Sequence, residues 1–332
     1  GVNRYVKGGE GTARSCMYGM FSISQNHEVH DLIQWVRDYN DLHPTDMISF
    51  VGFDMQYLPV MVDSLNHFVD RRIPDLKTQI DSLLAPMVKH IWDSYDQPHE
   101  ERIQWLKDAE SIEEMVDSQI EKQLEKAKTK QDSVDLSWGK QYVKLIKQYA
   151  RNLVEDRSVL YRDEAMAENV SWILDQHPPG SKMLIWAHDY HVSLGEHQRA
   201  ENNIYGGVSM GHHLRKKYGP GYKACGLWTY QGTYRAQRSY FDYQQFDCPL
   251  TVSPKGSLDE VFHRIALEKK GKGLFIDLKE AREQKWFCQP TPMRFGNHVA
   301  FEYAYFTRYS IPYQFDGIFF WDNTTAAKSY AP

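Results

Sequence analysis

RDEAMAENVSWILDQH (162–177) followed by KMLIWA (182–187) decides the fold class. The first stretch reads as a helix. The second is a short, unbroken apolar run, which suits a buried strand. Moving outward, the same order recurs. MGHHLRKKYG (210–219) precedes YKACGLWTY (222–230), and LDEVFHRIALEK (258–269) precedes GLFIDL (273–278). FDGIFFWD (315–322) reads as a last strand near the C-terminus. Upstream, EVHDLIQWVRDYN places Val29, Leu32, Ile33, Val36 and Tyr39 at helical spacing, with Asn26 as its cap, ahead of the strand-like MISFVGFDMQ (47–56). Repeated helix–strand units predict an α/β fold, with a largely parallel sheet flanked by helices on both faces.

Residues 60–157 break this alternation. They are rich in Lys, Glu, Asp and Gln, and Gly139 is their only glycine. Apolar residues recur every three to five positions, as in Ile112, Met115, Ile120 and Leu124, then Val143, Ile146 and Tyr149. This predicts amphipathic helices, a helical subdomain inserted between the α/β segments 1–60 and 158–332 and serving as lid or wall. The charged run EKQLEKAKTKQD is a solvated helix face.

Composition narrows the function. The 332 residues are 42% hydrophobic and 25% charged, which is ordinary globular material. A net charge of −5 without a long basic run argues against nucleic-acid binding, which needs clustered Lys and Arg. The cysteines, Cys16, Cys225, Cys248 and Cys288, form no C-x-x-C pair, so a zinc ribbon is excluded. No stretch approaches the roughly 18 apolar residues of a membrane span. GVNRYVKGGEG lacks a signal peptide's apolar core. VNRYV reads like a helix already under way, which predicts an upstream segment and leaves the compartment open. The oligomeric state is equally open.

Open α/β sheets bind ligands at the carboxyl ends of their strands. That rule selects Asp54 and Gln56, His188 and His191, Thr233 to Arg235, Asp277, and Asp322 with Thr324. His188, directly after an apolar strand, can accept a proton, donate to an oxyanion or orient another base. The plainer reading is a buried histidine satisfied by a carbonyl, and the second histidine three residues on weakens it. A metal-dependent hydrolase would need a third ligand, from Asp54 or Glu196, and H-D-Y-H is no zinc spacing. Arg162 and Glu168 lie on one helix, where Arg162 either trims the helix end or holds a carboxylate. Arg235 and Arg294 are weaker candidates. GGEGT (8–12) lacks the Lys-Ser/Thr of a phosphate loop, and no G-x-S-x-G elbow is present.

Taken in order, WVRDYN with FVGFDMQ, RDEAMAENVSWIL, IWAHDYHVS, MGHHLRKKYG and FDGIFFWDNTTAA resemble the erythromycin esterase family of bacterial hydrolases, with its succinoglycan-biosynthesis-like relatives. The likeness covers essentially the whole chain. It implies hydrolysis of an ester or macrolide lactone by activated water, without metal or other cofactor, and antibiotic resistance as one biological role. It puts His188 and His191 on substrate contact and transition-state stabilisation; beside them, Asp54, Gln56, Arg162, Glu168, Arg235 and Arg294 are the expected substrate-binding or orienting residues. It also implies a general-base histidine in a Gly-Glu-x-x-His-Gly segment ahead of residue 1. GGEGTARS imitates that segment but reads Ala13-Arg14 in place of His-Gly. Asp189 stands where the family usually has Asn. A carboxylate between two histidines would favour their imidazolium forms. The expected function is therefore metal-independent hydrolysis of a small-molecule ester or lactone. Its rival is a catalytically silent binding or biosynthesis-associated module.

Overall fold

The computed structural model describes residues 1–125, 127, 129–156, 158–195, 208–239, 242–294 and 306–330. In chain order these form helices α1 (Val2–Val6), α2 (Ala13–Cys16), α3 (His27–Leu42), α4 (Leu58–Arg72), α5 (Lys77–Lys89), α6 (His99–Leu124), α7 (Lys130–Val154), α8 (Val159–Asp175), α9 (Asp189–Val192) and α10 (Met210–Tyr218). Then come strands β1 (Cys225–Ser239) and β2 (Asp242–Pro249), helix α11 (Leu258–Glu268), and strands β3 (Gly273–Asp277), β4 (Thr291–Arg294), β5 (Phe306–Tyr309) and β6 (Gly317–Thr324). Two compact units result: Phe53–Leu184, and Gly1–Gly52 together with Ile185–Pro332.

The helical unit, Phe53–Leu184, follows its periodicity. On α6 the buried residues are Trp105, Ala109, Ile112, Val116 and Ile120, spaced by three or four so that they form one stripe. Burying a side chain the size of Ile112 contributes about 1.5–3 kcal/mol. Helix α7 packs along α6 and also crosses α4. Gly139 makes that crossing possible, because a Cβ there would sit 2.2 Å from the Phe68 ring. Helix α8 shares this core through Ala165. It starts at Val159, with the Ser158 side chain accepting from the Tyr161 N–H. Arg162 is thus inside the first turns rather than at the tip.

In the other unit, Asn26 caps α3 by accepting from the Val29 N–H at 2.8 Å. The conspicuous polar residues of WVRDYN are clamps. Asn40 is buried, donating to the Val6 and Ile48 carbonyls and accepting from the Ile48 N–H. Arg37 donates to the carbonyls of Tyr5 and Gly9 and pairs with Asp41. The GGEGT stretch ends in a cap: Thr12 and Ser15 exchange side-chain and backbone hydrogen bonds at the start of α2.

The sheet corrects the expectation of a largely parallel one. Its order is β2-β1-β6-β3. β1 and β6 are parallel, but β1–β2 and β3–β6 are antiparallel. Alternation names the elements without fixing the direction in which distant strands meet. β1 also runs past its expected end, so Thr233, Tyr234 and Arg235 lie mid-strand and pair with β2. Asp277 faces Gly317 at the amino end of β6, the edge opposite to the one predicted. Helix α11 covers one face, with Phe262 packed on Trp228 and Phe320. On the other face no covering helix stands among the described residues, contrary to expectation: Leu227, Phe275, Phe319 and Trp321 are all exposed.

The runs 47–56 and 182–187, read as strands, carry no ladder among the described residues. Leu184 is 89% and Trp186 61% exposed. An apolar run becomes a strand only where a neighbour takes its N–H and C=O groups.

Candidate active site

In the helical unit the structure joins two predicted residues 108 positions apart. Arg162 Nε donates to Asp54 Oδ1 at 3.2 Å, and Nη2 donates to Oδ2 at 2.7 Å. This is the two-pronged geometry that a guanidinium makes with a carboxylate. One turn-pair further along α8, the buried Asn169 amide donates to the Phe53 carbonyl and to Gln148 Oε1, both at 2.9 Å. It also accepts from Gln141 Nε2 at 2.9 Å. Asn169 therefore fixes the backbone beside Asp54, while Arg162 fixes its side chain. Glu168 pairs with Lys144 at 2.9 Å. Gln56 is exposed and makes no side-chain hydrogen bond among the described residues.

In the other unit, His188 and His191 bracket the single turn of α9. His188 is its N-cap: Nδ1 accepts the Tyr190 N–H at 3.1 Å. A neutral imidazole that accepts at Nδ1 carries its proton on Nε2. His188 is thereby set as a donor at the far nitrogen. His191 closes the turn, its backbone N–H donating to the His188 carbonyl at 2.8 Å and its ring standing edge-on to Tyr190.

Asp189 corrects the expectation of a charge shared between the histidines. Its carboxyl turns inward to β1, accepting from the Leu227 N–H and from Trp228. Burial of the carboxyl raises its pKa to about 7, against the partial relief of those two donors. At neutral pH it is therefore about half protonated, and its partners are β1 groups rather than imidazoles.

The turn is anchored by residues whose roles sequence reasoning missed. Tyr222 Oη donates to the Val192 carbonyl at 2.8 Å, and burial pushes that hydroxyl's pKa up, keeping it a donor. Ser209 Oγ donates to the Ser193 carbonyl at 2.7 Å. Gly211 lets α10 lie against the same backbone: a Cβ there would stand 2.2 Å from the Val192 oxygen and 2.3 Å from that of Ser193. Leu214 is buried and Arg215 reaches Asp316 at 2.5 Å. The glycine inside MGHHLRKKYG was the available signal, since an early helical glycine marks close backbone approach.

Arg235 and Arg294 are held by the scaffold. Arg235 pairs with Asp247 across the β1–β2 ladder at 2.6 Å. Arg294 is buried, donating to the carbonyls of Tyr230 and Thr251 and to the Thr251 and Ser253 hydroxyls. Among the described residues no group of three or more His, Cys, Asp or Glu is placed to hold a metal ion. Glu196, the suggested third ligand, lies outside the described residues.

A family model described as erythromycin esterase matches residues 1–324. YbfO of Bacillus subtilis (strain 168), named as a hydrolase, is 22% identical over 184 residues, or 54% of this chain and 38% of its own. The chain thus spans less than half the length of that relative. Among solved structures, a Bacillus cereus protein has a TM-score of 0.81 at 21% identity, covering 99% of this chain and 79% of its own. A succinoglycan biosynthesis protein follows at 0.79 and 16%, covering 99% and 78%. A mutant of the erythromycin esterase EreC in its open conformation has 0.60 and 14%, covering 90% and 74%. At these identities the structural likenesses carry the fold. The chain belongs to the erythromycin esterase family.

Proposed function

We propose that this member of the erythromycin esterase family is a hydrolase that cleaves an ester or macrolactone of a small molecule by attack of water. The observation that carries this reading is the His188 tautomer. With Nδ1 engaged by the Tyr190 N–H, Nε2 presents a proton rather than a lone pair. A fixed donor of that kind suits the oxygen that gains charge as a tetrahedral intermediate forms. His191, on the same turn, is assigned to substrate contact.

In the helical unit, substrate orientation is assigned to Asp54 and Arg162, with Gln56 and Glu168 as further polar contacts. Arg235 and Arg294 are assigned to the scaffold, since Arg235 Nη1 and both Nη groups of Arg294 engage protein acceptors. Macrolides, and with them antibiotic resistance, are the substrate class and role favoured by family membership.

The test is turnover on a panel of esters and lactones, followed by His188→Ala. Loss of one oxyanion donor costs about 10²-fold or more in kcat. A variant with full activity overturns the role of His188, and wild-type chain inactive on every member of the panel overturns the hydrolase reading.

A further inference from the structure

Arg14 stands apart from the arginines described above. Arg37, Arg162, Arg215 and Arg235 each pair with a carboxylate. The Arg14 guanidinium makes no hydrogen bond or ion pair among the described residues, and the residue is exposed, so its donors are open to solvent. It is nevertheless held. Its Cζ lies 3.9 Å from the centroid of the Tyr330 ring, within reach of the attraction between a cation and a ring face. Tyr330 is fixed in turn. Ser329 bridges to Asn26, and the His27 N–H donates to the Lys328 carbonyl at 2.9 Å. The His27 ring lies 4.2 Å from the tyrosine ring. On its own side Arg14 is carried by α2, where the Thr12–Ser15 cap closes the turn and Ala13 and Met17 are buried. The Ala13-Arg14 of GGEGTARS thus divides between core and surface, and the stretch serves to present Arg14.

Arg14 lines a cavity of about 360 Å³ together with Ser15, Met17, Tyr18, Gln25 and Tyr330. Small-molecule sites begin at about 300 Å³. No acidic side chain lines this one. The carboxylates that act on Tyr330 are engaged elsewhere: Glu28 accepts from the Lys328 N–H at 3.1 Å, and Asp31 faces His30 Nδ1 at 3.0 Å. The Ser15 hydroxyl is spent on Thr12, and the Gln25 amide donates to the Met20 carbonyl. Arg14 is therefore the charge that the cavity offers to a ligand. Tyr18, 80% exposed, adds an open aromatic ring beside it.

The chemistry of the ligand follows. A guanidinium is a planar fork whose paired N–H groups match the two oxygens of a carboxylate. A fork already held over a ring loses less freedom when it binds. The Tyr18 ring gives a flat apolar surface for the rest of the molecule.

We propose that Arg14, Tyr18 and Tyr330 form a binding site for a small aromatic carboxylic acid. Arg14 takes the carboxylate with two N–H donors, and the aromatic body lies against Tyr18. The site stands independently of the hydrolase reading.

The test uses chain 1–332 and benzoate as the probe, read by NMR at the Met17 methyl and the Arg14 side-chain N–H. Both signals are expected to shift saturably, with a Kd of about 1 mM for so small a ligand. Arg14→Lys keeps the charge and loses the fork, and should weaken binding about tenfold. Arg14→Gln, at an exposed position that leaves the fold intact, should abolish the saturable shift. Benzamide has the same shape without the charge and should bind at least about tenfold more weakly. No saturable shift up to about twenty times the expected Kd overturns the proposal. So does unchanged affinity in Arg14→Gln, or benzamide binding as tightly as benzoate. Equal affinity in Arg14→Lys overturns the two-donor contact. Inorganic phosphate that displaces benzoate at equal concentration reveals an unselective anion site and overturns the assignment to an aromatic acid, whereas failure to displace it supports that assignment.

Discussion

The Asp54–Arg162 pair and the His188–His191 turn are held by opposite strategies. Around Asp54, side chains do the holding: two guanidinium hydrogen bonds, and beside them a buried amide relay through Asn169, Gln141 and Gln148. Around α9, the backbone is what is held. Tyr222 and Ser209 grip the carbonyls of Val192 and Ser193, Gly211 lies against the same backbone, and the inward carboxyl of Asp189 is poised near neutrality. The first arrangement sets charge against charge through two hydrogen bonds. The second is stiff in backbone and sensitive to protons.

That contrast can be broken by substitution. Gly211→Ala should have the largest effect, because its methyl would meet backbone oxygens at 2.2 and 2.3 Å. A loss of about 3 kcal/mol is expected, with a fall in turnover as the histidine turn shifts, read by denaturant unfolding and by ester kinetics. An unchanged midpoint would show that α10 does not support the turn. Asn169→Ala should cost slightly less, about 2–3 kcal/mol, since it strands the buried amides of Gln141 and Gln148. The same change should loosen Arg162–Asp54, seen as a higher KM with kcat largely kept.

Asp189→Asn sharpens the proton side of the comparison. The folded carboxyl titrates near 7, well above its unfolded value of 3.8. Between those pH values the folded chain keeps a proton that the unfolded chain has released. Wild-type stability therefore falls as pH rises from about 4 to about 7, and is flat above. Asparagine has no such proton, so the variant should match wild type at acid pH and exceed it at pH 8. Thermal midpoints at pH 4.5 and 8 decide this, and a difference independent of pH would refute it. The smallest effect belongs to Arg235→Ala. Its partner Asp247 is 60% exposed, so the pair should contribute under about 0.5 kcal/mol.

Legibility in the sequence differed between the same regions. The stripe on α6 and the cap at Asn26 could be read directly, because each depends on neighbours three or four residues away. The lone glycine of the helical stretch was visible at 139, but its partner Phe68 was not. At the candidate site, His188, His191 and Asp54 stood out by residue type and by expected strand-end position, and Arg162 by its place at the start of a helix. The direction in which Asp189 turns did not, since nothing in H-D-Y-H distinguishes a carboxyl facing the imidazoles from one facing β1.

What the sequence by itself determined was the helical periodicity of α3, α6 and α7 and the family. Helical hydrogen bonds close within four residues, so their pattern is written locally. Only the tertiary structure decided that β1 meets β6 in parallel while β3 and β2 run against their partners. It alone decided that KMLIWA has no ladder among the described residues and that Arg162 reaches Asp54. Strand ladders and ion pairs close between distant segments, and which segments meet depends on the burial of the whole chain.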